Sequence, residues 1–412
     1  MSVRSESSSP SAETARLLLA LGIGLGLLTA SWAALHLPPL EASQIVDTPV
    51  YQEYGEAMAA GEVPYRDFEL EYPPGALPVF LLPALGPEEH YRSLFELLMW
   101  TCAAAMLALV VRALASLGAV PGRVLAGAVF AGVFPLLLGS VVLTRYDLWP
   151  AALTAAALAA LLSGRDRLAF AVLGLAVSAK LYPLVLLPPA LAFLWRRRGG
   201  REAFLALGAF AAVLAAAVLP FAAIAPDGLW ASVERQLGRP LQIESLGASV
   251  LLAGQQLGLY EATVVSTHGS QNLAGALPDA LAVVQTVLQA AALLGVWALA
   301  ARGPLGPARL AAASAASVAA FVAFGKVLSP QFLVWIVPLA ALVAGRGERT
   351  VLALAGAALV ATQLWFPTRY WDVVALEPAG WLVLVRNVLL LALVAVLVAL
   401  TARRERAAPR SS

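Results

Sequence analysis

Apolar runs of membrane-spanning length recur along almost the whole chain. An α-helix needs about 20 apolar residues to cross the hydrocarbon layer of a bilayer. Of the 412 residues, 60% are hydrophobic and 13% are charged, whereas soluble domains carry roughly 25% charged residues. No polar stretch between the runs is long enough for a separate soluble domain. The sequence therefore predicts one all-α, polytopic membrane domain over residues 15–402.

The apolar runs predict about 12 transmembrane helices, within a range of roughly 10 to 13. The runs cover residues 17–37, 91–111, 124–143, 148–162, 168–179, 183–195, 203–225, 276–301, 308–325, 329–344, 350–366 and 379–401. The two runs between residues 168 and 195 are too short for two full crossings, so we expect short or broken helices there. Pro183, Pro188 and Pro189 favour a break, because proline removes a backbone donor.

Arginines are concentrated in alternate connections between these runs. The positive-inside rule places the arginine-rich connections in the cytoplasm. Both chain ends are then cytoplasmic, with a disordered tail over residues 1–14 and a basic tail over residues 403–412. The long polar loops at about residues 38–90, 226–275 and 367–378 face the opposite side. We therefore expect a protein of a bacterial cytoplasmic (inner) membrane whose functional surface lies on the non-cytoplasmic side.

Several classes of function are disfavoured by composition and motif. The net charge is +2 and the basic residues are scattered, which gives no case for nucleic acid as a partner. Cys102 is the single cysteine, so intrachain disulfides and thiol clusters are excluded. His36, His90 and His268 have no metal-ligand spacing. The sequence contains no glycine-rich phosphate loop, Walker lysine or HExxH motif, which argues against ATP-driven chemistry.

The first outer loop interleaves carboxylates with aromatic rings. Carboxylates accept protons from sugar hydroxyls, and aromatic rings stack on the apolar faces of sugars. The loop therefore suits a carbohydrate at a membrane surface, whereas a solvated loop whose charges only face water is the alternative. The candidate site residues among its carboxylates and tyrosines are Asp47, Tyr51, Tyr65, Asp67, Glu69, Glu71 and Tyr72.

The two lysines of the chain, Lys180 and Lys326, both lie at the predicted outer ends of spans. An ionisable residue near a span is a functional candidate, and the compact ammonium group suits phosphate. Arg145 is a further outer cation. Cations beside carboxylates fit a lipid-phosphate donor and a hydroxyl acceptor. The structural alternatives are snorkelling of the lysines and an exposed loop position for Arg145.

Short motifs follow one another at the predicted outer ends of the spans. They are Asp47 with Tyr51, Val63-Pro64-Tyr65-Arg66-Asp67-Phe68 before Tyr72-Pro73-Pro74, Arg145-Tyr146-Asp147, Lys180-Leu181-Tyr182-Pro183, Gly238-Arg239-Pro240 with Ile243-Glu244-Ser245, Lys326-Val327-Leu328-Ser329-Pro330-Gln331, and Arg386-Asn387. In this order they resemble the GT-C membrane glycosyltransferases, specifically glycosyltransferase family 87, the polyprenol-phosphate-mannose-dependent α-1,2-mannosyltransferases. The resemblance covers most of the chain. It implies a GT-C-type bundle whose long first outer loop carries juxtamembrane helices.

The resemblance also implies a reaction. A sugar, mannose in the family, passes from a polyprenyl-phosphate donor to a hydroxyl of a glycolipid or glycan at the outer membrane face, with inversion. Asp47 matches the early-loop aspartate that is the usual general base. Asp67, Glu69 and Glu71 are the acidic alternatives. The structural alternatives for Asp47 are an interfacial loop carboxylate and a cap on the helix that begins near Thr48.

The remaining site residues follow from the same resemblance. Lys180, Lys326 and Arg145 would neutralise the donor phosphate. No cofactor is assigned, and a divalent metal, which some GT-C enzymes use, is left open. The expected partners are the polyprenyl-phosphate sugar, the glycolipid or glycan acceptor and membrane lipids. Candidate substrate-binding residues are Tyr51, Tyr65, Tyr72, Tyr182, Arg239, Glu244 and Gln331.

Two other functions compete with this hypothesis. A transporter or flippase of lipid-linked glycans would also need a polar chamber among helices, but it predicts a site near the bilayer midplane and an internal repeat. The polar motifs lie instead at span ends, and no convincing repeat is seen in the sequence. The second alternative is a non-catalytic subunit with a GT-C-like fold. The presence of Asp47, Lys180 and Lys326 argues against it.

Overall fold

The computed structural model describes residues 10–41, 45–345 and 347–403. Eighteen α-helices and one antiparallel hairpin lie in these residues. The helices are α1 (Pro10–Ala34), α2 (Thr48–Ala59), α3 (Leu77–Ala84), α4 (Tyr91–Ser116), α5 (Pro121–Leu138), α6 (Val141–Thr144), α7 (Leu148–Leu162), α8 (Asp166–Ala179), α9 (Leu187–Arg198), α10 (Gly200–Ile224), α11 (Pro226–Leu237), α12 (Leu246–Gln256), α13 (Ala276–Ala301), α14 (Pro307–Ala323), α15 (Leu333–Leu342), α16 (Glu348–Gln363), α17 (Tyr370–Val374) and α18 (Gly380–Ala402). The strands are β1 (Thr263–Thr267) and β2 (Ser270–Ala274). Short 3-10 turns cover Pro74–Ala76, Glu88–His90, Tyr182–Leu186 and Pro330–Phe332.

Each of the twelve apolar runs coincides with one of these helices, namely α1, α4, α5, α7, α8, α9, α10, α13, α14, α15, α16 and α18. Six helices in the described part of the chain are long and apolar enough to cross a membrane by themselves: Ala12–Ala34, Glu88–Ser116, Pro121–Leu138, Gly200–Ile224, Ala276–Ala301 and Gly380–Ala402. The expected helical, multi-pass membrane fold is therefore confirmed. The number of complete crossings stays a prediction.

The expected break between residues 168 and 195 is also confirmed. Helix α8 has 14 residues and ends where Lys180 adopts an extended conformation, with φ −162° and ψ 144°. A 3-10 turn then leads into α9. Pro183 and Pro188 lie in the first positions of that turn and of α9, where a missing N–H costs no helical hydrogen bond. The break leaves Lys180 on irregular backbone that is packed inside the protein.

Close helix packing builds one continuous core. Helix α1 packs on α5, α8 lies between α7 and α10, and α18 lies between α14 and α16. Gly132 of α5 permits the first of these contacts, because a Cβ there would lie 2.5 Å from the Gly24 carbonyl oxygen. Helices α10 and α13 keep most of their apolar surface outside the core. Lipid would cover these surfaces in a membrane.

Arginines from the predicted cytoplasmic connections bind the carboxyl ends of helices. Arg123 Nε donates to the Val343 carbonyl oxygen at 2.9 Å. Arg309 Nε donates to the Thr401 carbonyl oxygen at 2.7 Å. Carbonyls in the last helical turn have no partner within their own helix, so these arginines satisfy them. Both arginines are buried, and they fix the end of the bundle that we predict to face the cytoplasm.

Two details differ from the sequence-based expectation. Helix α1 begins at Pro10, so residues 10–14 extend the first span instead of belonging to a disordered tail. Glu13 in its first turn is favourable at the positive end of the helix dipole. The remaining tail residues, 1–9 and 404–412, lie outside the described residues. The other difference is the hairpin, whose turn residues His268 and Gly269 have φ 53° and 64°, as in the tight turns that suit twisted strands.

Candidate active site

The candidate site lies where helices are interrupted. Arg145 is extended after the short helix α6, and Asp147 directly precedes α7. The first outer loop packs against this region at Gly75. A Cβ at Gly75 would lie 2.4 Å from Ser178 Oγ, near the end of α8. The Gly75 carbonyl oxygen accepts from Trp149 Nε1 at 3.0 Å. The loop, the start of α7 and the end of α8 therefore meet at one place.

Asp47 forms an ion pair with Arg145. Asp47 Oδ1 lies 2.6 Å from Arg145 Nη1, and the Tyr51 hydroxyl donates to Asp47 Oδ2 at 3.3 Å. Arg145 Nη2 also donates to the Ile45 carbonyl oxygen at 3.0 Å. The Asp47 side chain makes no capping bond to α2, so the helix-cap alternative is wrong. With 32% of its side chain exposed, Asp47 is held on one side and open on the other.

A second, more deeply buried ion pair lies behind the first. Lys180 Nζ lies 2.6 Å from Asp147 Oδ1, and Trp335 Nε1 donates to the same oxygen at 2.7 Å. The Lys180 ammonium lies 4.5 Å from the centre of the Tyr146 ring. It points into the protein, so the snorkelling alternative is wrong for this lysine. Arg145, at 6% side-chain exposure, is likewise not an exposed loop cation.

Tyrosine rings enclose the Asp47 pair. The Tyr72 ring meets the Tyr51 ring edge-on at 5.6 Å and the Tyr146 ring at 5.1 Å. The Tyr65 hydroxyl donates to the Tyr72 carbonyl oxygen at 2.5 Å, which fixes the outer loop. Burial, and then the neighbouring Tyr72 and Asp47, raise the pKa of Tyr51 well above its ordinary value. Tyr51 therefore stays protonated and can donate to Asp47.

The acidic alternatives to Asp47 are engaged elsewhere. Asp67 accepts from Arg66 Nε at 2.9 Å and from the Val63 amide at 2.8 Å, which closes a local turn. The Arg66 hydrogen bond, and then the Val63 amide, lower the pKa of Asp67 to about 2. The other two pair with one arginine of α11: Arg235 lies 2.6 Å from Glu69 and 3.7 Å from Glu71.

Two motifs that are distant in sequence meet at Gln242. The backbone N–H of Gln242 donates to the Lys326 carbonyl oxygen at 3.0 Å. The backbone N–H of Leu328 donates to the side-chain oxygen Oε1 of Gln242 at 2.9 Å. Lys326 Nζ donates to the carbonyl oxygen of Leu237, the last residue of α11, at 3.0 Å. Burial and the nearby Arg239 charge lower the pKa of Lys326. The Lys326 ammonium therefore contacts the backbone two residues before Arg239.

Glu244 connects this region to the Asp47 pair. It is 2% exposed. Burial raises the pKa of Glu244 to about 7, against the opposing charges of Arg386, Arg239 and Arg145. Arg386 Nη2 donates to the Glu244 carbonyl oxygen at 2.7 Å, and Asn387 Nδ2 does so at 3.2 Å. Arg386 and Asn387 were not among the predicted site residues, although an arginine inside the last span was a signal for them.

Two predicted substrate-binding residues lie behind the site or beside it. The Tyr182 ring stacks on Trp335 at 4.2 Å, and its hydroxyl bonds with Thr154 Oγ1 at 3.0 Å. Tyr182 thus orients Trp335, which in turn binds Asp147. Gln331 is half-buried in the 3-10 turn before α15. Asp147 and Trp335 were missed as site residues, although Asp147 belonged to one of the motifs.

The acidic residues do not form a metal centre. Within the described residues, no group of three or more histidine, cysteine, aspartate or glutamate side chains is close enough to hold a metal ion. Asp47 and Asp147 face one arginine and one lysine instead. The residues of the site therefore do not fit a divalent metal.

The chain is similar to a solved structure, the crystal structure of ArnT from Cupriavidus metallidurans bound to undecaprenyl phosphate. The two chains are 15% identical, the match covers 94% of this chain and 78% of that chain, and the TM-score is 0.48. No curated protein matches this chain with significance.

The comparison with protein families gives a match over more than half of the chain. The profile of glycosyltransferase family 87 matches residues 70–330, which is more than half of the chain. This segment includes Arg145, Lys180 and Lys326, while Asp47 precedes it and joins it through the Arg145 ion pair. The resemblance seen in the sequence is thereby confirmed, and the chain belongs to glycosyltransferase family 87 and is a membrane glycosyltransferase.

Proposed function

We propose that this enzyme transfers a sugar from a polyprenyl-phosphate donor to a hydroxyl group of a glycolipid or glycan. The reaction takes place on the non-cytoplasmic side of a bacterial cytoplasmic membrane and inverts the anomeric centre. Mannose is the sugar expected from the family. The observation that carries the proposal is the half-exposed Asp47 carboxylate, held beside Arg145 and in front of the Lys180–Asp147 pair.

Asp47 acts as the general base. The acceptor oxygen attacks the anomeric carbon while Asp47 takes its proton. A new carbon–oxygen bond forms, and the bond between the anomeric carbon and the phosphate oxygen breaks. The polyprenyl phosphate leaves with the electron pair of that bond. Cations close to the leaving oxygen stabilise the charge that develops there.

Arg145 couples the base to the donor. The guanidinium of Arg145 has five donors, and its contact with Asp47 leaves others for an oxygen of the donor phosphate. One positive charge then lies beside both the proton acceptor and the leaving phosphate.

Lys180 and Lys326 supply the remaining positive charge. The Lys180 ammonium lies 4.5 Å from the centre of the Tyr146 ring, and that ring meets the Tyr51 ring edge-on at 5.8 Å, which supports a position near Asp47. The ammonium has three donors, and the 2.6 Å contact with Asp147 uses one of them. Lys326 Nζ contacts the carbonyl oxygen of Leu237, two residues before Arg239. Asp147 and Trp335 hold Lys180 in place for phosphate binding.

The alternative functions give different outcomes in one experiment. Purified protein is incubated with a panel of polyprenyl-phosphate sugars and, as the control, with the matching nucleotide sugars. We expect release of polyprenyl phosphate from one lipid-linked sugar and none from the nucleotide sugars. Turnover of the nucleotide sugars alone would contradict the proposed donor. The absence of turnover with every donor would instead favour the transporter or the non-catalytic subunit.

A further inference from the structure

The last helix presents two polar side chains to the segment that carries Glu244. Arg386 is 0% exposed and Asn387 is 1% exposed, although both lie in the apolar helix α18. Asn387 Nδ2 contacts the carbonyl oxygens of Glu244 and Ser245 at 3.2 Å each and Ser249 Oγ at 2.9 Å. Asn387 therefore fixes the backbone at Glu244 and does not use the Glu244 carboxylate, which can bind another partner.

Several polar atoms around this carboxylate have no protein partner. Arg386 uses Nη2 for the Glu244 carbonyl oxygen, but its Nε and Nη1 have no hydrogen-bond partner among the described residues. The same holds in this part of the chain for Glu244 Oε2 and for Arg239 Nε. Buried polar groups are nearly always satisfied, because an unpaired one is costly. This cluster is therefore built for a polar ligand.

The donors and acceptors of the cluster identify the chemistry of that ligand. The guanidinium groups of Arg386 and Arg239 only donate, whereas Glu244 accepts when it is ionised and can also donate when it is protonated. A hydroxyl group both donates and accepts, so neighbouring hydroxyls on one ring can satisfy both sides of the cluster in either protonation state. A phosphate group only accepts, so it would leave the ionised Glu244 carboxylate without a donor. The cluster fits the hydroxyl groups of a sugar better than it fits an anion.

The position of the cluster relates it to the reaction. The segment that carries Glu244 is joined to Lys326, because the backbone N–H of Gln242 donates to the Lys326 carbonyl oxygen at 3.0 Å. We propose that Glu244 and Arg386 bind the hydroxyl groups of the transferred sugar, while the phosphate of the donor is held at Arg145 and the two lysines. This inference rests on the proposed function. It assigns to Glu244 and Arg386 the selection of the sugar.

Binding measurements separate the sugar site from the phosphate site. The probes are undecaprenyl phosphate and undecaprenyl phosphate carrying mannose, glucose or galactose. The parent protein should bind one of the sugar lipids about 10- to 100-fold more tightly than undecaprenyl phosphate, as charged hydrogen bonds allow. Glu244→Gln should lose most of that preference and keep its affinity for undecaprenyl phosphate. Glu261→Gln, which changes an exposed glutamate of the same outer region, is the matched control.

A second variant controls for the case in which Glu244→Gln does not fold. Glu244→Asp keeps the charge that Arg386 faces but withdraws the carboxylate by one methylene, so it should also lose the preference for the sugar lipid. If both Glu244 variants keep that preference, or if the parent binds all four lipids equally, the sugar site is overturned and the proposed donor class stands. If the parent binds none of the four lipids, the proposed function fails together with this inference.

Discussion

The carboxylate of Asp47 and the guanidinium of Arg145 approach each other to 2.6 Å across the break between α5 and α7. The pair joins the first outer loop to the part of the chain that the family profile matches. Arg145 is buried and Asp47 is half-exposed, so the pair presents its carboxylate side to an incoming ligand. The proposed base and the proposed phosphate-binding arginine are thus in direct contact.

Removal of Arg145 should impair both donor binding and transfer. Arg145→Gln keeps hydrogen-bonding capacity but removes the charge that the phosphate needs. We expect the rate of transfer to fall about 100- to 1,000-fold, as for the loss of one donor to a developing charge. Steady-state kinetics with varied donor concentration measures this loss. Arg112→Gln, at an exposed position of α4, should behave as the parent, and equal kinetics for the two variants would exclude Arg145 from the site.

Substitutions of Lys180 and Lys326 should have different effects on stability, but both should weaken donor binding. Lys180→Met leaves the buried Asp147 without its counter-ion, which typically costs ~3–5 kcal/mol, whereas Lys326→Met leaves no buried charge unpaired. Both variants should bind undecaprenyl phosphate less tightly. Adding Asp147→Asn to Lys180→Met should restore the midpoint of thermal unfolding and leave binding weak. Parent-like affinity in the double variant would show that Lys180 is only a counter-ion.

The burial of Glu244 should make stability depend on pH. Its folded pKa of about 7 is raised above the ordinary value of 4.5, so between these values the folded protein binds more protons than the unfolded chain. The stabilisation is present below pH ~4.5 and is lost as pH rises to ~7, by at most ~1.4 kcal/mol per pH unit. The charges of Arg386, Arg239 and Arg145 oppose this rise, and burial raises the pKa of Tyr370, so Tyr370 stays neutral over this range. The unfolding midpoint of the parent should therefore fall relative to that of Glu244→Gln between pH 5 and pH 7, and a constant difference would contradict the assignment.

The predicted orientation places the hairpin turn outside and both chain ends inside. Gly269 lies in the exposed turn between β1 and β2, so a protease site inserted there is accessible without disturbing the bundle. In sealed cells, we expect external protease to cut at residue 269 and to spare tags at residues 1 and 412. Cutting at either terminal tag in intact cells would reverse the topology.

The helices were predictable because their signal is local. Each apolar run needs only composition and length to be recognised as a helix, and Pro183 and Pro188 marked the break after α8 in the sequence itself. The ion pair between Asp47 and Arg145 has no such local signal. It depends on how α2 packs against the α5–α7 break, which is a tertiary relationship.

The lack of a local signal for tertiary contacts also explains why the sequence did not reveal some residues of the site. Trp335 reads as an apolar helix residue, and only its 2.7 Å bond to Asp147 shows that it holds the site together. Arg386 stood out as a charge in the last span, but its partner Glu244 became visible only in the fold. Motif order thus predicted which segments carry the site, and packing decides which of their side chains meet.

The most direct test of the account is the transfer rate of Asp47→Asn measured together with its donor binding. The amide keeps the size of the carboxylate and can still bond with Tyr51 and Arg145, so folding should survive, but it cannot take the acceptor proton. We predict that transfer falls about 10²- to 10⁴-fold, the usual contribution of a general base, while the affinity for the polyprenyl-phosphate sugar is retained. Parent-like transfer by Asp47→Asn would contradict the account and would shift the search for the base to Asp67, Glu69 and Glu71.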